Sequence, residues 1–129
     1  LDVSNNQLSG EIPNTFFSAA DPSQPVFIDI SSNLISGTIP GTLSRLSEVT
    51  LYARDNKIQG IHPDLCSQIL WNGGDVGLFG CDAILCPPSS YSPIGRTSDN
   101  GSTCLPCKQT VYFGRSECSK LRGSSAWSS

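Results

Sequence analysis

Apolar and polar residues alternate in three short stretches, Leu1-Asp2-Val3, Ile28-Asp29-Ile30 and Leu51-Tyr52-Ala53. A period of two over so few positions predicts short strands with one face turned inward, because successive side chains leave an extended chain on opposite sides. Each stretch is followed by asparagine, an aliphatic residue, glycine and proline. These are Asn6, Leu8, Gly10 and Pro13; Asn33, Ile35, Gly37 and Pro40; and Asn56, Ile58, Gly60 and Pro63. The asparagines stand 27 and 23 residues apart. A repeat of this length predicts stacked units sharing one core, since a single unit has nothing against which to bury its apolar face.

Within each unit the residue types assign themselves. Leu1/Val3, Ile28/Ile30 and Leu51/Ala53 face inward from one strand per repeat, and the strands stack in parallel. The asparagine amides sit where the strand turns away and are suited to backbone groups of neighbouring turns, which must find partners once buried. Leu8, Ile35 and Ile58 follow on the inside, the glycines permit tight turns, and the prolines stop the strands. Leu43, Leu46 and Val49 suit an irregular convex return, and a small insertion is expected around Asp21 to Pro25. In the third unit Ala53 replaces a bulkier inward residue and His62 replaces the apolar residue before proline, so the array is expected to end near residues 60–70.

His62 is the only histidine. General-base chemistry needs a positioned partner, and none is identifiable. No metalloprotease, phosphate-loop, kinase or nucleophile-elbow motif occurs, so no catalysis and no cofactor are expected. With Lys+Arg 8 against Asp+Glu 11 the chain has no basic face, which argues against nucleic acid as a partner. No apolar run approaches the ~20 residues that span a bilayer. The chain opens inside a repeating unit without methionine or a signal pattern, so a longer native chain is expected, with any membrane attachment in a missing part.

All six cysteines follow the last repeating motif, which ends at Pro63: Cys66, Cys81, Cys86, Cys104, Cys107 and Cys118. The chain accordingly divides into repeats over 1–70, a cysteine-rich capping segment over 71–118 and a disordered tail over 119–129. A stretch such as CPPSSYSPIGRTSDNGSTCLPC, built of turn formers, needs cross-links to hold a shape. Spacing leaves two other readings open. Cys81-x4-Cys86 with Cys104-x2-Cys107 fits a zinc ribbon. Cys104-Leu-Pro-Cys107 has the redox C-x-x-C spacing, though without the helix that lowers a thiol pKa. Asn100-Gly-Ser102 is a glycosylation sequon in the most loop-like part of the chain.

The shared pattern L-x-L-x-x-N-x-L-x-G-x-I-P resembles the plant-type extracellular leucine-rich repeat proteins over roughly residues 1–70. That resemblance implies a solenoid of short parallel strands, a secreted or cell-surface location and a recognition role. The extracellular setting favours disulfides over zinc. Six cysteines allow 15 pairings, of which Cys66–Cys81 closing the solenoid, then Cys86–Cys104 and Cys107–Cys118, is preferred. Cys86-Pro-Pro-Ser-Ser-Tyr91-Ser…Cys104-Leu-Pro-Cys107 resembles the cysteine-rich modules of ephrin-receptor-like ectodomains, with Ser89-Ser90 where that pattern has Gly-Thr. The stretches GCDAILCPP and YFGRSEC are also similar to the endings of leucine-rich repeat proteins in some photosynthetic protists.

The expected binding face is the outward set on the concave strands: Asp2, Ser4, Asn5, Asp29, Ser31, Ser32, Tyr52, Arg54 and Asp55. Asp29, Tyr52, Arg54 and Asp55 carry the most chemical character, tyrosine and arginine being the types that dominate interface energetics. The expected partner is a protein, peptide or glycan. The resemblance also admits the ectodomain end of a receptor kinase or a structural matrix component.

Overall fold

The computed structural model describes residues 1–118; the tail 119–129, for which disorder is expected, lies outside the described residues. Each repeat contributes two strands rather than one. β2 (Val26–Asp29) and β4 (Val49–Tyr52) pair in parallel, with Ile28 opposite Leu51 and Asp29 opposite Tyr52. Asp2 extends this ladder through an isolated bridge to Asp29. A second parallel ladder, in the order β1-β3-β5, is formed by β1 (Ser9–Glu11), β3 (Leu34–Ile39) and β5 (Lys57–Ile61). The second strand after each asparagine was not expected, whereas the irregular convex return expected at Leu43 and Leu46 is a 3-10 turn over Gly41–Arg45 that leads into β4. In β3 the buried residues are Ile35, Gly37 and Ile39, a period of two that the central glycine hides from a count of apolar residues.

The asparagines tie successive coils together. The Asn33 amide donates to the carbonyls of Val3, Ile30 and Ser31, and its Oδ1 accepts from the Leu8 N–H at 3.1 Å. One coil on, the Asn56 amide donates to Ile30, Ala53 and Arg54, while Oδ1 accepts from Ile35 N–H at 3.0 Å. Each amide thus satisfies its own turn and reaches one coil back. The residue before it is left-handed in all three coils, at Asn5, Ser32 and Asp55. Gly10 and Gly37 also take positive φ. Gly60 does not; a Cβ there would lie 3.0 Å from Thr38 Oγ1, so close packing rather than a turn selects it.

The two edges of the stack differ. Leu1 and Leu8, expected inward, are 52% and 46% exposed because no coil covers them. With Val3, Ile12 and Phe16 they line an apolar hollow of about 300 Å³. At the other edge the core continues past the third repeat into Trp71, Val76, Ala83, Ile84 and Leu85, which join one cluster with Ile28, Leu46, Leu51 and Ile58. Trp71 is fully buried, its indole N–H bonded to the Leu46 carbonyl at 2.9 Å. Asn72 extends the asparagine device: its Oδ1 accepts from Leu51 N–H and its amide donates to Ala83. His62, 45% exposed at its side chain, accepts from Asp64 N–H at the start of a 3-10 turn.

Beyond Trp71 lie a short helix α1 (Asp75–Phe79) and a minimal antiparallel pair, β6 (Ser90–Tyr91) with β7 (Leu105–Pro106). Three disulfides, Cys66–Cys81, Cys86–Cys104 and Cys107–Cys118, use all six thiols. The segment 113–116 then returns to the third coil. Phe113 N–H bonds the Ile58 carbonyl, Asp55 N–H bonds the Gly114 carbonyl, and Arg115 donates to Asn56. This strap closes the edge that the third repeat leaves open.

Candidate recognition site

On the outward side of the β2/β4 ladder the first two coils satisfy their own polar groups. Asp2 Oδ1 accepts from the backbone N–H and hydroxyl of Ser4, and Asp29 Oδ1 accepts the same pair from Ser31. The Ser4 hydroxyl, followed by its N–H, holds the Asp2 carboxyl below its ordinary pKa. Ser31, expected to face outward, is buried by this contact. The third coil breaks the Asp-x-Ser pattern and places Tyr52 and Arg54 at the equivalent positions. Neither side chain makes the Asp-to-Ser bond of the first two coils; the Arg54 guanidinium instead meets its neighbour Asp55.

Tyr52 is 37% exposed and meets the edge of Phe27, itself 46% exposed, with ring centroids 5.6 Å apart. Phe27 lies on the same outward face of β2, two residues before Asp29. It escapes notice in the sequence because it precedes the repeating motif and reads as one more apolar residue of a strand. Arg54 pairs with Asp55 at 3.1 Å and keeps 43% of its side chain exposed.

The cysteine-rich segment supplies the opposite wall. A cleft of about 340 Å³ is lined by Asp29, Ser31, Tyr52 and Arg54 from the repeats and by Ile94, Arg96 and Asn100 from the segment. Arg96 lies beneath Tyr52, its guanidinium carbon 6.0 Å from the ring centroid, a distance at which the cation is attracted by the ring face. Its NH1 is held by Asp75 Oδ2 at 2.9 Å, and its Nε is buried without a partner among the described residues. A buried charge of this kind persists only when paired. Gly95 makes the approach possible: it takes φ +75°, and a Cβ there would lie 2.5 Å from Arg54 Cβ.

Of the four sequence-derived candidates, three come together in the cleft: Asp29, Tyr52 and Arg54. Asp55 is placed differently. Its carboxylate accepts from Ser116 N–H at 3.0 Å and Ser116 Oγ at 2.6 Å, so it anchors the strap. No motif in the sequence announces Arg96 or Ile94, because their place in the wall depends on how disulfides and loops return the chain to the third coil.

Residues 1–19 and 26–46 match the family model described as Leucine Rich Repeat. The matched residues fall in the first two coils. The parallel ladders and the asparagine bonds between coils fit a repeat fold. No curated protein and no solved structure matches the chain. Leucine-rich repeats generally mediate protein binding and are typically non-catalytic. The cleft gathers an aromatic ring and two guanidinium groups, those of Tyr52, Arg54 and Arg96. No described helix is long and apolar enough to cross a membrane, and the three disulfides are of a kind that persists in oxidising compartments.

Proposed function

We propose that this chain is a non-catalytic recognition module of an extracellular or cell-surface protein, built as the plant-type solenoid with its cysteine-rich end as the cap. It binds a protein, peptide or glycan at the third repeat. The observation that carries this reading is the switch from Asp-x-Ser to Tyr52-x-Arg54 at the coil where the cap adds a second wall. Two coils tie up their outward polar groups, whereas the third leaves an aromatic ring and a guanidinium open beside Phe27 and Asp29. Tyrosine offers a rigid ring with a polar tip, and arginine a planar fork for carboxylates, carbonyls or hydroxyls.

The test is capture from an extracellular preparation by the immobilised, disulfide-bonded chain, compared with the variant carrying Tyr52→Ala and Arg54→Ala. A partner retained by the wild type and lost by the variant supports the assignment. Equal recovery by both places recognition on another surface.

A further inference from the structure

The recognition cleft has a sequon on its rim. Asn100, exposed, lines the same cleft as Tyr52, Arg54 and Arg96, and it opens the tripeptide Asn100-Gly101-Ser102. We propose that Asn100 carries an N-linked glycan, and that this glycan screens the cleft, so that occupancy of the site decides what reaches Tyr52 and Arg54. The inference rests on the extracellular reading above and adds to it a modification with a defined place.

The amide is presented for such chemistry. Asn100 Oδ1 accepts from the Ser102 N–H at 3.1 Å, whereas Nδ2 donates to no group among the described residues. Transfer forms a bond between Nδ2 and the anomeric carbon of an oligosaccharide donor of the polyprenyl-diphosphate class. The bond from that carbon to the diphosphate breaks, and the diphosphate departs with the amide proton. The carbonyl oxygen is untouched, so the bond to Ser102 survives.

The turn is anchored, which fixes where the glycan starts. Ser98 N–H bonds the Ser102 carbonyl and Gly101 N–H bonds that of Ser98. Asp99 N–H donates to Asp75 Oδ1 at 3.2 Å, and Asp75 Oδ2 holds Arg96. The Cys86–Cys104 disulfide closes the loop two residues after Ser102. The ion pair in the cleft floor therefore also positions its rim. A bulky hydrated chain rooted there stands over a cleft of about 340 Å³.

The full chain is produced through a eukaryotic secretory pathway, and its mass is read before and after an N-glycosidase that converts the linked asparagine to aspartate. A glycan is expected at Asn100 and absent from Ser102→Ala and Asn100→Gln. Screening is then read with hydroxyphenylglyoxal, which modifies exposed guanidines. Arg54 should react several-fold faster in the deglycosylated chain and in Asn100→Gln than in the glycosylated one. Arg45, which lies on the return of the second coil with its guanidinium on the Ser18 and Ala20 carbonyls, should react equally in all three. A secreted, disulfide-bonded chain unmodified at Asn100, or equal Arg54 rates, overturns this inference alone. Free thiols in the native protein would overturn the extracellular reading together with it.

Discussion

Replacing Asn56 with alanine removes four hydrogen bonds at a position 1% exposed. Two of the groups it serves keep a second partner: the Ile30 carbonyl retains Asn33, and the Arg54 carbonyl retains Ser32 N–H. Two do not. Ile35 N–H and the Ala53 carbonyl are left without partners among the described residues, both in buried surroundings. At about 1–3 kcal/mol for each orphaned group, and with partial relaxation, the loss is roughly 2–4 kcal/mol. Asn33→Ala orphans only the Leu8 N–H, in a partly buried position, because Val3, Ile30 and Ser31 keep Asn6, Asn56 and Asn5 respectively. Its expected cost is about 1–2 kcal/mol. Ser32→Ala changes a half-buried side chain with no hydrogen bond of its own and should stay within about 0.5 kcal/mol. Urea unfolding followed by tryptophan fluorescence reads all three, since Trp71 is in the shared core. Equal midpoints for Asn56→Ala and Ser32→Ala, or a larger loss at Asn33 than at Asn56, would refute the coil-to-coil role of these amides.

Three further outcomes follow from the same contacts. Asp55→Ala should release the strap, seen as faster amide exchange at Gly114 and Ser116 with the β2/β4 ladder still protected; unchanged exchange would deny Asp55 that anchoring role. Ser4→Ala should move the Asp2 carboxyl titration upward towards its ordinary value near 3.8, since the Ser4 hydroxyl is the first cause of its depression. Because the folded value is the lowered one, the Asp2 contact supports the fold above that ordinary value, and the support fades as pH falls through the folded value; a titration unmoved by Ser4→Ala contradicts this. Native protein denatured without reductant should offer no thiol to alkylation, whereas stoichiometric zinc with free thiols would restore the ribbon reading of Cys81, Cys86, Cys104 and Cys107.

What the sequence made legible was whatever repeats. Asparagine at a fixed offset from an alternating strand has one economical explanation, and the bonds of Asn33 and Asn56 match it. The second ladder was less visible because Gly10 and Gly37 interrupt the apolar count in β1 and β3, although alternation persists in the burial of β3. Leu1 and Leu8 were misjudged because inward-facing does not mean covered at the edge of a stack. The site divides in the same way. Tyr52 and Arg54 stood out by type, an aromatic ring and a guanidinium among mostly small polar residues. Arg96, Gly95 and Ile94 come from a turn-rich segment where local pattern carries no information about which coil it will meet. Asp55 looked free for the same reason, since its partner Ser116 lies 61 residues away.

The proposed recognition surface is formed by the third coil and the cap. Titration calorimetry of the captured partner against the wild type and the Tyr52→Ala, Arg54→Ala double variant tests it most directly. Neither side chain belongs to the core, and the Arg54–Asp55 pair is exposed enough to contribute little to stability. A loss of at least about 2 kcal/mol in binding, close to 30-fold in Kd, is expected, with the urea midpoint nearly unchanged. Undiminished affinity in a folded double variant would contradict it.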